Sequence, residues 1–366
     1  MAALRLTVFF AAILLIHPAV STPLGVDYVI DQLGLDDQAD SSSLVVEEDK
    51  TWPGFPYLGQ VSAVSVDGDG NLHIFHRGDK VWDSQTFDRN FRLTDTSTGP
   101  IQNDTVIVVD PKTSKLIYSW GSNRFYMPHG LTVDHQGNTW VTDVGLHQVF
   151  KFPPREASED LMIGEPFVPG SGNNHLCQPT DVAVMPSGDF FVSDGYCNSR
   201  IVMFTGTGKL IKEIGSKDGM NIPHSLTLVP EHDAICVADR ENGRILCYAT
   251  GTDDTNLGEL LASIDGQGLG RVFALDRRGK DLFVVNGPDL WQDILSVSSD
   301  HGLVIDIESG TAKAIWGPDT GFQLPHDLAV SPDGKFVYVS EIDLSSPKRV
   351  YKFKIRDSQS DAPHKQ

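Results

Sequence analysis

The chain has 366 residues, of which 40% are hydrophobic and 9% aromatic, enough for one large domain or two average ones and too much for wholesale disorder. Its 29 Lys and Arg against 49 Asp and Glu leave a formal charge of −20, which repels a phosphate backbone and excludes nucleic acid as a partner. The 34 glycines and 21 prolines suit many short strands joined by tight turns better than long helices.

The N-terminus reads as an export signal over residues 1–22. Arg5 precedes an apolar run from Leu6 to Ile16, and small residues at Ala19, Ser21 and Thr22 precede Pro23. The run is too short to span a bilayer, and no later stretch reaches the roughly 18 apolar residues that a membrane helix needs. The expectation is a soluble monomer in the secretory pathway, either secreted or held in a granule lumen. Residues 23–53 are rich in Asp, Glu and Ser without a sustained period and are expected to form an acidic, mobile leader. The tail, 356–366, is polar.

Between them, residues 54–355 carry a recurring unit: alternating apolar residues, a turn with Asp and Gly, then a second apolar strand. It begins at Ser62, His129, Thr180, His224, Arg271 and His326. Further hairpins fill the intervals, as at Thr105 to Asp110 with Leu116 to Trp120, Ile201 to Phe204 with Leu210 to Ile214, and Leu303 to Ile307 with Ala312 to Trp316. Six copies with about four strands each predict an all-β, six-bladed propeller. The last repeat has only Arg349 to Ile355 after it, so an N-terminal strand just before Ser62 is expected to close the ring and remove the exposed edges.

Aligned on their turns, the repeats place Ser62, His129, Thr180, His224, Arg271 and His326 in one slot at the start of each first strand. Alternate blades of a six-fold ring are about 120° apart, so His129, His224 and His326 converge on the axis. Three neutral imidazoles with an open fourth position make a typical catalytic zinc site. The second strand runs back to the same face, so Arg77, Tyr196 and Arg240 at those strand ends should ring the mouth. Two guanidiniums beside a metal suit an anionic substrate, since Arg binds carboxylate bidentately. Asp143, Asp194 and Asp239 recur at the same ends and read as structural partners. Four cysteines in an oxidising compartment favour disulfides; three pairings are possible, and adjacency favours Cys177 with Cys197 and Cys236 with Cys247. Asn103-Asp104-Thr105 is a glycosylation acceptor sequence.

Three passages carry a family resemblance: Val237 to Ile245, Ser193 to Ile201, and His76-Arg77-Gly78-Asp79 followed by Val81-Trp82-Asp83. With the Pro-His pairs ending at His129, His224 and His326, they closely resemble peptidyl-α-hydroxyglycine α-amidating lyase, the second catalytic unit of the peptide-amidating enzyme, over roughly residues 54 to 355. That resemblance implies a propeller of NHL-type repeats and zinc on His129, His224 and His326, with Tyr196, Arg240 and Arg77 around the substrate. It also implies a structural calcium held by the backbone carbonyls of Val64 and Leu131 and the Asp327 carboxylate, and disulfides Cys177–Cys197 and Cys236–Cys247. Both bridges would then brace the mouth. No copper monooxygenase unit is expected before the propeller and no membrane anchor after it, so the chain is expected to receive peptidyl-α-hydroxyglycine from a separate copper monooxygenase.

The implied reaction breaks the carbon–nitrogen bond of a peptidyl-α-hydroxyglycine, giving a peptide amide and glyoxylate. Zinc on the hydroxyl would make its proton labile near neutral pH. Arg77 and Arg240 would hold the carboxylate, and Tyr196 would transfer the proton, which an ordinary tyrosine does only beside a cation. Two other classes compete: a secreted, non-catalytic NHL-propeller scaffold, and a calcium-dependent lactonase, which would need carboxylates or amides where the slot offers histidines.

Overall fold

The computed structural model describes residues 44–251, 256–266, 268–288 and 301–357. The expected signal segment, most of the leader and the tail from residue 358 lie outside them. The described residues form a six-bladed β-propeller, each blade a four-stranded antiparallel sheet. Blade one comprises Val61–Val66, Leu72–His76, Val106–Asp110 and Lys115–Trp120; blade two Pro128–Val133, Thr139–Asp143, Gln148–Phe152 and Leu161–Ile163. Blade three comprises Pro179–Val184, Phe190–Asp194, Arg200–Phe204 and Leu210–Ile214; blade four Pro223–Val229, Ala234–Asp239, Arg244–Ala249 and Leu260–Asp265. Blade five follows with Arg271–Arg278, Asp281–Gly287, Gly302–Asp306 and Ala312–Trp316. Blade six combines Pro325–Val330, Phe336–Glu341 and Val350–Asp357 with Leu44–Glu48.

The ring closes through that last strand. Leu44 to Glu48 pairs antiparallel with Asp357 back to Phe353, joining the first and last described segments in one sheet. The closing strand thus lies inside the stretch expected to be a loose leader, and its pairing carries blade six two residues past the expected boundary at Ile355. Its alternating pattern, with Leu44 buried and Val45 exposed, is the half-buried strand signature, hidden in sequence by the neighbouring acids.

Successive side chains of a strand point to opposite faces, so each blade feeds two interfaces. Phe190 packs toward blade two while Phe191 packs toward blade four. Six apolar clusters result, one at each blade interface, the last joining Trp52, Phe55 and Ile74 to Tyr338 and Val350. The turns are specified locally: the Asp67 carboxylate accepts from Asp69 N and Asn71 N, and Gly70 follows at φ +84°, a left-handed conformation that glycine adopts without strain.

Every first strand carries a register shift near its start, between Val61 and Ala63, Pro128 and Leu131, Pro179 and Asp181, Pro223 and Leu226, Val272 and Ala274, and Pro325 and Asp327. A bulge frees the skipped residue from the two-face alternation and re-aims its side chain. The preceding prolines sit at the first strand residue, where a missing N–H costs no ladder bond.

Candidate metal centre

The skipped residues include three histidines. His129, His224 and His326 lie at the bulges of blades two, four and six, and each pair of imidazole centroids is 4.8 Å apart. Their ligand atoms all lie within 4.8 Å of one another, and each residue is no more than 3% exposed. The intervening blades supply the supports. Nδ1 of His129 donates to the Thr180 carbonyl at 2.8 Å, His224 to Phe273 at 2.6 Å and His326 to Ser62 at 2.7 Å. A carbonyl can only accept, so Nδ1 carries the proton and Nε2 keeps its lone pair.

This geometry corrects one expected slot. The blade-five equivalent of His326 is Phe273, not Arg271. Alignment on the turn glycine fails there because the hairpin closes tightly, with Arg278 paired to Asp281, and the strand runs two residues longer. Arg271 sits instead at the mouth, its Nη2 donating to Glu241 Oε1 at 2.5 Å and its Nη1 to the Pro288 carbonyl at 2.7 Å.

Burial pushes the His129 and His224 imidazoles well below their ordinary range and His326 to about 3, with the Arg240 charge adding to the effect at all three and the Arg77 charge at His129 and His326. All three are therefore neutral at physiological pH, as ligation requires.

Tyr196 and both expected arginines stand beside the trio. The Tyr196 hydroxyl lies 3.1 Å from His129 Nε2, to which it can donate, and 3.3 Å from His224 Nε2. Arg240 Nη1 donates to the same oxygen at 3.2 Å, and its guanidinium carbon lies 4.8 Å from the Phe273 ring centre. Arg77 is 1% exposed; its Nε donates to the Pro128 carbonyl at 3.0 Å and its Nη1 to Gln60 Oε1 at 2.8 Å, while Nη2 is buried without a partner. Burial pushes this guanidinium down to about 10, which leaves it charged at neutral pH.

The strand-end carboxylates hold the incoming loops. Asp143 accepts from Tyr126 N and Met127 N, Asp194 from Cys177 N, Asp239 from Asn221 N and Glu341 from Gln323 N and Leu324 N. Each bond sets the chain just ahead of a slot. In blades three and four the same carboxylates also take Arg200 and Arg244, which accounts for the recurring Asp, Asn and Arg. His76 and His73 stand away from the trio: His76 Nδ1 accepts from Gly78 N and His73 Nε2 meets Asp67.

The chain contains the disulfides Cys177–Cys197 and Cys236–Cys247. The first adjoins Tyr196. The second links directly opposed residues of one strand pair inside the interface of blades four and five, so it braces that sheet rather than the mouth.

Two groups near the trio were not singled out as site residues in the sequence. Trp82, in the loop after the second strand of blade one, has its ring centre 4.9 Å from that of Tyr196 and 6.0 Å from that of His129. Gln60 tethers Arg77. Trp82 belongs to a motif that marks the family, but nothing local shows that its loop folds back over the axis.

The NHL repeat family matches residues 176–204, which span most of blade three. Among curated proteins, peptidyl-alpha-hydroxyglycine alpha-amidating lyase 2 of Drosophila melanogaster is 42% identical over 83% of this chain and 74% of its own length. The probable peptidyl-alpha-hydroxyglycine alpha-amidating lyase of Caenorhabditis elegans is 34% identical over 93% of this chain and 97% of its own. The chain belongs to the peptidyl-α-hydroxyglycine α-amidating lyase family. Peptidyl-glycine alpha-amidating monooxygenase of Mus musculus is 44% identical over 87% of this chain, which spans only 33% of that protein's length. Among solved structures, streptogramin B lyase superposes with a TM-score of 0.52 at 14% identity, covering 86% of this chain and 98% of that one, a likeness of fold alone. The metal-ready trio of this amidating-lyase family member thus sits on a widely used propeller.

Proposed function

We propose that the chain is a zinc-dependent lyase that cleaves peptidyl-α-hydroxyglycine to a C-terminally amidated peptide and glyoxylate, the last step of peptide α-amidation. The observation that carries the reading is the convergence of three neutral Nε2 lone pairs from alternate blades beside a tyrosine hydroxyl and two arginines. The donor set fits zinc: three buried imidazoles whose Nδ1 protons are already engaged. Bound there, zinc would act as a Lewis acid, lowering the pKa of the substrate hydroxyl.

The chain's own residues account for the rest. Arg77 presents a buried, charged and unpartnered Nη2, which suits the carboxylate of the hydroxyglycine. In its deprotonated form the Tyr196 oxygen, to which Arg240 Nη1 donates, would take the hydroxyl proton and return it to the departing amide nitrogen. As the C–N bond breaks, its electron pair goes to that nitrogen and the carbinol carbon becomes the aldehyde of glyoxylate.

We also propose a structural calcium on Asp327 and the carbonyls of Val64 and Leu131. All three line one cavity in the channel, and burial, with the nearby Asp181 carboxylate, pushes Asp327 well above the usual carboxylate range, a cost that a divalent cation offsets. A secretory-pathway setting is supported by the two disulfides, and glycosylation of Asn103 by its exposure. No helix among the described residues is long and apolar enough to cross a membrane. The hydroxyglycine peptides would come from a copper monooxygenase, the partner activity suggested by the mouse relative's name.

One assay tests the reading: glyoxylate release from an α-hydroxyglycine peptide, with and without chelator. Release that stops on chelation and returns with zinc supports it. No release would leave the scaffold reading, and lactone hydrolysis restored by calcium alone would favour the lactonase.

A further inference from the structure

We propose that Trp82 recognises the side chain of the residue preceding the hydroxyglycine, giving the site a preference for aromatic residues there. The inference rests on the lyase reading and extends it to substrate selection.

Access to the trio is the starting point. Among the described residues, the aromatic side chains that touch the three imidazoles are Trp82, Tyr196 and Phe273. Phe273 is buried, whereas Trp82 and Tyr196 are half-buried and keep surface toward solvent. Their ring centres are 4.9 Å apart with planes tilted by 47°, so the two rings pack together into one aromatic surface beside the trio. A substrate that lays its hydroxyl against the imidazoles and its carboxylate against Arg77 brings its preceding residue close to this surface, because Trp82 adjoins both groups.

The distances select the residue. Trp82 lies 6.0 Å from the His129 ring centre and 5.1 Å from the Arg77 guanidinium carbon. An extended chain advances about 3.3–3.6 Å per residue, so the first residue before the hydroxyglycine falls within reach of the indole and more distant ones move beyond it. Tyr196 has a polar task at its hydroxyl, which leaves the indole as the apolar wall.

Trp82 is also held as a recognition group must be. Its backbone N–H donates to Gln60 Oε1 at 2.8 Å, the same oxygen that takes Arg77 Nη1. The Gln60 carbonyl accepts from Arg77 N, and Phe87 packs edge-on against the indole at 5.1 Å. The loop beyond is pinned by a Phe87–Leu93 bridge and by Thr94 N donating to the Thr86 carbonyl. An indole fixed before the substrate arrives loses little freedom on binding, so stacking on it shows as affinity.

The test compares kcat/KM for three peptides ending in Phe-, Leu- or Gly-α-hydroxyglycine, using full-length wild type, Trp82→Phe and Trp82→Ala, with melting temperatures to confirm folding. Wild type is expected to favour the Phe peptide over the Gly peptide by about tenfold, the size of one aromatic contact. Trp82→Ala should bring that ratio close to one, mainly through KM, while Trp82→Phe keeps most of it. A wild-type ratio near one, or the same ratio in Trp82→Ala as in wild type, overturns the proposal and leaves the lyase reading standing. Absence of glyoxylate release by wild type from all three peptides overturns both.

Discussion

Nδ1 of His224 donates to the main-chain carbonyl of Phe273 at 2.6 Å, a bond between blades four and five that fixes both the ring's orientation and its tautomer. Blades two and six repeat the device through Thr180 and Ser62. Removing one imidazole leaves two ligands, so His224→Ala is expected to lose turnover entirely and to fall well below one zinc per chain by elemental analysis. Full activity in that variant would contradict the assignment.

The ring architecture is readable from six turns and the strand pairs around them, because alternation and Asp-Gly chemistry are local. The histidine trio is readable because three slots share one residue type. Phe273 was hidden: its role is played by a backbone carbonyl, which any residue supplies, and the tight Arg278–Asp281 hairpin shifts the count by two. The closing strand was hidden by Glu47 and Glu48, acids that resemble a disordered leader; Glu47 faces solvent, whereas Glu48 turns inward and pairs with Lys348. Gln60 and Trp82 act through a loop folded over the axis, and such long-range contacts leave no period in the chain.

Tyr196→Phe removes the oxygen that meets His129 Nε2 and Arg240 Nη1 but keeps the ring against Trp82. If that oxygen carries the proton, kcat should fall by at least about a hundredfold with KM little changed. Stability should change by about 1 kcal/mol or less, the net value of one hydrogen bond. Steady-state kinetics with a urea melt checks both; near-normal kcat would move the proton-transfer role elsewhere.

Gln60→Leu is nearly isosteric yet frees Arg77 Nη1 and Trp82 N together. The guanidinium stays close but loses its set direction, so KM should rise by about tenfold, the worth of about 1.4 kcal/mol, with a smaller change in kcat. Gln60→Glu tests the alternative of mere packing: it preserves an acceptor but places a competing carboxylate on the Arg77 guanidinium, so it should bind the carboxylate substrate still more weakly. Equal KM values for both variants and wild type would remove Gln60 from the site.

Acid sensitivity should come in part from His147, which is buried at φ +59° between blades two and three and accepts from Gln178 N through Nδ1. Burial pushes its imidazole down to about 4, against about 6.5 unfolded. The unfolded chain therefore binds the proton first. The stability that depends on a neutral His147 is complete above pH 6.5 and is lost as pH falls toward 4, reaching about 2 kcal/mol by pH 5. Asn suits the left-handed backbone, and its Oδ1 can replace Nδ1 as acceptor while staying neutral throughout. Urea unfolding at pH 7 and pH 5 should thus show His147→Asn losing about 2 kcal/mol less than wild type over that interval. Parallel losses in the two proteins would mean that this imidazole titrates alike in the folded and unfolded chains.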